Sequence, residues 1–165
     1  MASKARGRVE QFLRQIDQAY DGKSWHGTNL RGSLRRVTLA QAAWRPEPDR
    51  HNIWELALHA GYWKYAVRRR LTGEARSTFA LEGSNFFTRP DAGTEAEWKR
   101  DLTLLRDEHR KLRAAVAALN DQALDQPPAG GDTLAVDLVA GIIAHDLYHA
   151  GQIQLLKRLA PRRYT

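Results

Sequence analysis

The sequence predicts an all-α protein, an antiparallel four-helix bundle with a short extra helix after the first. Three observations carry this expectation. Apolar residues recur at three- and four-residue intervals in four separate stretches, Gly and Pro punctuate the gaps between them, and no stretch alternates as a strand does. With 165 residues the chain suits one compact domain around a single core, so residues 1–165 are read as one domain.

The first helix is expected over about residues 4 to 20, where Val9, Phe12, Leu13, Ile16 and Tyr20 form one apolar face and Asp21-Gly22 ends it. Thr28 is placed to cap a short helical piece carrying Leu30, Leu34 and Leu39. Trp44-Arg45-Pro46-Glu47-Pro48 then forces an extended linker, because each proline disfavours helix before it. A second long helix should run from about residue 50 to 71, stopped by Gly73. Centred on His59, its face gathers Asn52, Glu55, Leu56, Tyr62, Trp63 and Ala66. Residues 72 to 93 have no clear periodicity and contain Phe86-Phe87, the pattern of a functional lid.

The third helix has the clearest pattern: Trp98, Leu102, Leu105, His109, Leu112, Val116 and Leu119 alternate four and three apart, with Thr94 and Glu97 as a capping box. Residues 121 to 131, with Pro127-Pro128 and Gly130-Gly131, form a turn. The last helix is expected from about residue 132 to 159, stopped by Pro161, with Leu138, Gly141, Ile142, His145, His149, Gln152, Ile153 and Leu156 on one face.

Composition narrows the function. Hydrophobic residues make up 42% and charged residues 27% of the chain, and no apolar run approaches the roughly 20 residues of a membrane span. The basic stretch Met1 to Arg8 leads into an amphipathic segment rather than an export signal, which places the protein in the cytoplasm. Without cysteine, any metal must be held by nitrogen and oxygen. The net charge of +7 raises nucleic-acid binding, but Arg35-Arg36, Arg68-Arg69-Arg70 and Arg162-Arg163 lie in no recognisable nucleic-acid motif, so that partner is disfavoured.

His145 and His149 form an H-x-x-x-H pair whose rings leave one helix face about 6 Å apart and can converge on one ion. Two histidines inside an apolar stripe each need a buried partner, and a shared metal supplies it. His59, on the inward face of the second helix, would complete a three-nitrogen set, and Gly141 one turn before His145 would leave room for an ion or ligand. His109 could approach the same centre, although a lone histidine in an apolar stripe is more often a hydrogen-bonded core residue.

The segment Asn52-Ile53-Trp54-Glu55-Leu56-Ala57-Leu58-His59, with His145-x-x-x-His149-x-x-Gln152 and the trailing Gly151-Gln152-Ile153, resembles the DinB/YfiT-like superfamily of metal-binding four-helix bundles. The helix order fits over nearly the whole chain. The resemblance implies a cytoplasmic, often dimeric protein that binds zinc or nickel through a triad carried here by His59, His145 and His149.

Three imidazoles leave a coordination position open, as in catalytic rather than structural zinc sites, where a water can be activated or a thiolate received. Glu55, one turn before His59, is the candidate proton shuttle; a hydrogen bond to a ligating ring or an ion pair with an arginine is its other role. Asp146 is turned away from the histidine face, while Gln152 can hydrogen-bond a ligand or a neighbouring helix. Tyr62, Trp63 and Tyr148 are candidate cavity walls, and His26 and His51 have weaker claims. The expected function is that of a metal-dependent enzyme, a hydrolase or small-thiol transferase acting on a small molecule, with Phe86 and Phe87 closing over the site. The alternatives are a non-catalytic metal- or ligand-binding protein and a DNA-associated stress protein; the oligomeric state stays open, with a homodimer supported if a bundle helix exposes an apolar strip, and no membrane is involved.

Overall fold

The computed structural model describes residues 7–76 and 78–161, and among them six α-helices and no strand are found. Met1 to Arg6, where the first helix was expected to begin, and Arg162-Arg163 lie outside the described residues. Helix α1 (Arg8–Tyr20) has no side-chain cap of its own. The carboxylate of Asp121, from the turn before the last helix, accepts from the backbone N–H groups of Arg8 and Val9, each at 2.9 Å.

The short extra helix expected from Thr28 is two. Asn29 caps α2 (Leu30–Ser33), its Oδ1 accepting from Gly32 N at 2.8 Å, and Thr38 caps α3 (Leu39–Ala43), accepting from Gln41 N at 3.1 Å. Each of these two capping side chains starts a turn of its own, and Arg36 between them sits at φ 58, which a continuous helix does not allow.

Helix α4 (Ile53–Thr72) begins three residues later than expected because Asn52 is its cap and not part of its face, Oδ1 accepting from Glu55 N at 2.8 Å. It ends where expected, with Gly73 at φ 70. Helix α5 (Glu95–Ala117) has the capping box: Glu97 N donates to Thr94 Oγ1 at 3.2 Å, and the Glu97 carboxylate accepts from Thr94 N at 2.8 Å. After a 3-10 turn at Ala123–Asp125, helix α6 (Ala135–Leu159) starts later than its periodicity suggests. Pro127 and Pro128 hold the chain out of helix, and Ala135 N is bound back to Gln126 O at 3.0 Å.

The four long helices enclose the core: α1 packs on α5 and α6, α4 packs on α5 and α6, and α2 and α3 cover α6 and α4. At one end Ile16, Val67, Leu112, Val116, Val139 and Ile142 pack together; at the other Trp54, Leu58, Trp98, Leu105 and Ile153 do. Gly61 lets α4 lie against the Leu105 backbone, since a Cβ there would sit 3.4 Å from Leu105 Cα. No helix among the described residues is long and apolar enough to cross a membrane.

A polar pair is buried in this interior. Lys64 of α4, 1% exposed, is ion-paired with Asp146 of α6, 2% exposed. Burial pushes the Asp146 carboxyl up while Lys64 pulls it down. The pair joins the two helices that carry the histidines. Removing one partner leaves the other charge buried alone, whereas removing both does not. Lys64→Met should therefore cost about 3–5 kcal/mol in urea unfolding, and Lys64→Met with Asp146→Leu should recover most of that loss. A double variant as unstable as the single one would show that the pair is not the source.

Candidate metal centre

His59 projects from the second turn of α4, and His145 and His149 project one turn apart from α6. Their imidazoles meet. Nε2 of His145 lies 3.1 Å from Nε2 of His59 and 3.1 Å from Nε2 of His149, and one ligand nitrogen from each ring lies within 4.8 Å of the others. The far sides of two rings are held. Nδ1–H of His59 donates to the backbone carbonyl of Asn85 at 2.9 Å, and Nδ1–H of His149 donates to Oε1 of Gln152 at 2.6 Å.

These bonds decide whether the set fits a metal. A neutral imidazole carries one proton, so with Nδ1–H committed, His59 and His149 each turn an Nε2 lone pair inward. Both lone pairs face Nε2 of His145, which can donate one proton to one of them at most. A divalent cation accepts all three lone pairs at once, and zinc–imidazole bonds of about 2.0–2.1 Å in a tetrahedral set put nitrogens about 3.3 Å apart, close to what is found for two of the three pairs. The residues fit the ion.

Electrostatics favours the same state. Burial, chiefly, lowers His59 to about 4, against the pull of the Asn85 carbonyl and with help from His149 and His51. Burial also lowers His145 to about 3, reinforced by His149, His59 and Lys64, and lowers His149 despite its bond to Gln152. All three rings are neutral at physiological pH, as metal ligands must be.

The triad forms the floor of a cleft of about 680 Å³ walled mostly by apolar groups, among them Leu56, Trp63, Phe86, Tyr148 and Leu155. Phe86 does reach the site. Its ring stacks on His59 at 4.0 Å and 11°, and on its other face carries His51 at 3.7 Å and 3°. Phe87 does not: it points into the core and packs against Tyr62 and Phe79. Consecutive side chains of an extended segment leave on opposite sides, so Phe86 and Phe87 cannot close together over one site.

Trp63, Tyr148 and Gln152 line the cleft. Tyr62 faces a different cavity beside Phe79. Asn52 is fully buried as the α4 cap, with Nδ2 donating to Ala43 O at 3.3 Å. His109 is in the core, stacked on Tyr20 at 3.6 Å rather than held by a hydrogen bond at its buried Nδ1, and does not line the cleft. Gly141 lies on the exposed surface of α6, outside the cleft, so the room over the metal site is not made there. His26 is exposed beside Trp25. Asn85 was missed by sequence reasoning, although a left-handed backbone, φ 64 here, is a conformation that Asn tolerates. Its carbonyl fixes His59, and its Oδ1 accepts from Trp63 Nε1 at 3.0 Å.

Glu55 is held as an ion-pair partner, the other role the sequence allowed it. Arg45 donates to Oε1 at 2.5 Å and to Oε2 at 2.9 Å, Arg89 N donates to Oε1 at 3.1 Å, and His51 Nδ1–H donates to Oε2 at 2.9 Å. Burial alone would raise this carboxyl; the bonds from Arg45, His51 and the Arg89 amide outweigh it and hold it at about 2, below the ordinary 4.5. A carboxyl lowered on folding stabilises the fold above its unfolded value and loses that contribution as pH falls toward the folded one. Glu55 should thus contribute on the order of 3 kcal/mol near neutrality, lost between about pH 4.5 and 2. The stability gap between the parent and Glu55→Gln, read by denaturant titration, should be full at pH 7 and should close toward pH 2; a gap independent of pH would refute this.

The sequence model of the DinB superfamily matches residues 23–153. No curated protein sequence and no solved structure matches the chain. The matched stretch contains α2 to α5, most of α6 and all three converging imidazoles, and on that match the chain belongs to the DinB superfamily.

Proposed function

We propose that this protein is a zinc- or nickel-dependent enzyme, a hydrolase or small-thiol transferase, acting on a small, largely apolar molecule in the cleft above His59, His145 and His149. The observation that carries the reading is the pair of committed Nδ1–H groups, which leaves inward lone pairs that no proton arrangement within the triad satisfies. A divalent ion there would supply a Lewis-acid charge and lower the pKa of a nucleophile at its remaining position.

The chain's own groups support such chemistry. An ionised carboxylate only accepts, so Glu55 holds the proton of His51 on Nδ1, and in the neutral ring Nε2 is an acceptor. His51 is 48% exposed in its side chain and lines the same cleft, so that nitrogen can take up a proton from a bound nucleophile and return it to a leaving group. Arg45 and the Arg89 amide keep the Glu55 carboxylate in place behind it. Phe86 and Trp63 wall the floor and keep bulk water from the imidazoles. The apolar walls select a molecule with little charge of its own.

Purified protein should contain close to one equivalent of transition metal by elemental analysis. His59→Ala and His149→Ala should each reduce this at least tenfold with the helical circular dichroism unchanged. The metal-loaded protein should then turn over an ester, amide or thiol-transfer substrate, and His51→Gln should slow that turnover at least tenfold with metal content intact. Unchanged metal in the histidine variants would remove the centre.

A further inference from the structure

A second cavity, of about 690 Å³, lies on the far side of Trp63 from the metal cleft. Tyr62, Trp63 and Phe79 give it an aromatic wall, and Arg69, Arg70 and Arg76 line the same space. A neighbouring cavity of about 360 Å³ is lined by the same three arginines. We propose that this arginine-rimmed cavity binds a small molecule that joins a planar ring to a phosphate, of the nucleoside monophosphate class.

Three observations carry the proposal. The first is unbalanced charge. Arg68, next in sequence, is ion-paired with Glu74 and Glu108, but none of Arg69, Arg70 and Arg76 is in an ion pair among the described residues. Glu82 lines the larger cavity and Asp132 the smaller one, both as exposed side chains, and Glu74 in the smaller one is taken by Arg68, so three unpaired arginines face two carboxylates. Like charges gathered in a concavity repel one another and concentrate a field that draws anions, in a chain whose net charge is already +7.

The second is how the cluster is built. The negative end of the α4 dipole accounts for cations in its last turn, and so for Arg69 and Arg70. It does not account for Arg76. Gly73 at φ 70 reverses the chain, and Arg76 returns to line the same space from beyond the helix. Guanidinium groups from two directions match the several oxygens of a phosphate, which they bind in bidentate fashion.

The third is the wall. Trp63 is held by its Nε1 bond to Asn85 at 3.0 Å and has the Arg70 guanidinium 5.9 Å from its ring centre. Tyr62 and Phe79 meet edge to face at 5.4 Å. Fixed rings beside an arginine cluster suit a planar base next to its phosphate. Among the described residues Trp63 alone lines both this cavity and the metal cleft, so the site is distinct from the imidazole centre and independent of the function proposed above.

Isothermal titration of the full chain with AMP should give saturable binding that weakens as salt rises. Adenosine and inorganic phosphate should each bind at least tenfold more weakly. Arg69→Gln with Arg76→Gln should weaken AMP at least tenfold, because both side chains line the cavity without an ion pair, and helical circular dichroism should be unchanged. His59→Ala should leave AMP affinity within about twofold. No saturable AMP binding, equal affinity for adenosine or for phosphate alone, or indifference to the arginine changes would overturn the proposal. Loss of AMP binding in His59→Ala would move the ligand to the metal cleft and overturn it too, as would a single-stranded oligonucleotide that binds through these arginines where AMP does not.

Discussion

The contact between α4 and α6 is the constraint on which the site depends. His59 belongs to one helix and His145 and His149 to the other, so their nitrogens meet only if these helices lie at one particular separation and register. The Lys64–Asp146 pair is placed to set that register. Lys64 follows His59 by little more than a turn on α4, Asp146 adjoins His145 on α6, and both charges are excluded from water. A slide of one helix along the other would pull opposite charges apart in a low-dielectric interior, at a far higher cost than for an exposed pair.

The bundle supplies the histidines, and the long connection between α4 and α5 prepares them. Asn85 takes the Nδ1 proton of His59, and Phe86 covers the flat face of the same ring. An imidazole held on its edge and on its face has little freedom left, so the inward nitrogen is aimed before any ligand arrives. The same loop residue fixes Trp63 through its side chain. One residue in a left-handed conformation thus ties together the ligand, the wall of the cleft and the divider from the arginine cavity.

Polar groups inside a helical bundle are costly unless each is answered, and here most are answered in chains. Arg45, Glu55 and His51 lie in series, from a half-buried guanidinium to a ring at the mouth of the cleft. Asp101 receives the Trp54 indole and Arg89 at 2.8 Å each. Nδ1 of His145 and Oδ1 of Asp146, neighbours in sequence, are buried without a hydrogen-bond partner among the described residues. Both lie where the three histidines meet the Lys64–Asp146 pair.

Periodicity determined a good deal on its own. Four amphipathic stretches became α1, α4, α5 and α6, the capping box at Thr94 and Glu97 formed as written, and Gly73 ended its helix, because 3.6-residue periodicity, caps and left-handed glycines are local properties of the chain. The candidate ligands were legible too. An i, i+4 histidine pair shares a face whatever surrounds it, and His59 had only one inward face to occupy. Boundaries were less so, since Asn52 reads equally well as a helical residue and as a cap until its side chain is seen bound to Glu55 N.

What only the tertiary structure decided is which side chains find one another across long stretches of chain. Glu55 could have served a ligand or an arginine, and Arg45, from within the proline-bearing linker, took it. His109 sat on a perfect seam and was claimed by Tyr20, and Phe86 and Phe87, adjacent and alike, were divided between cleft and core. No spacing rule contains such pairings, because the energy of a buried polar or aromatic group depends on the partner that folding brings to it and not on its place in the sequence.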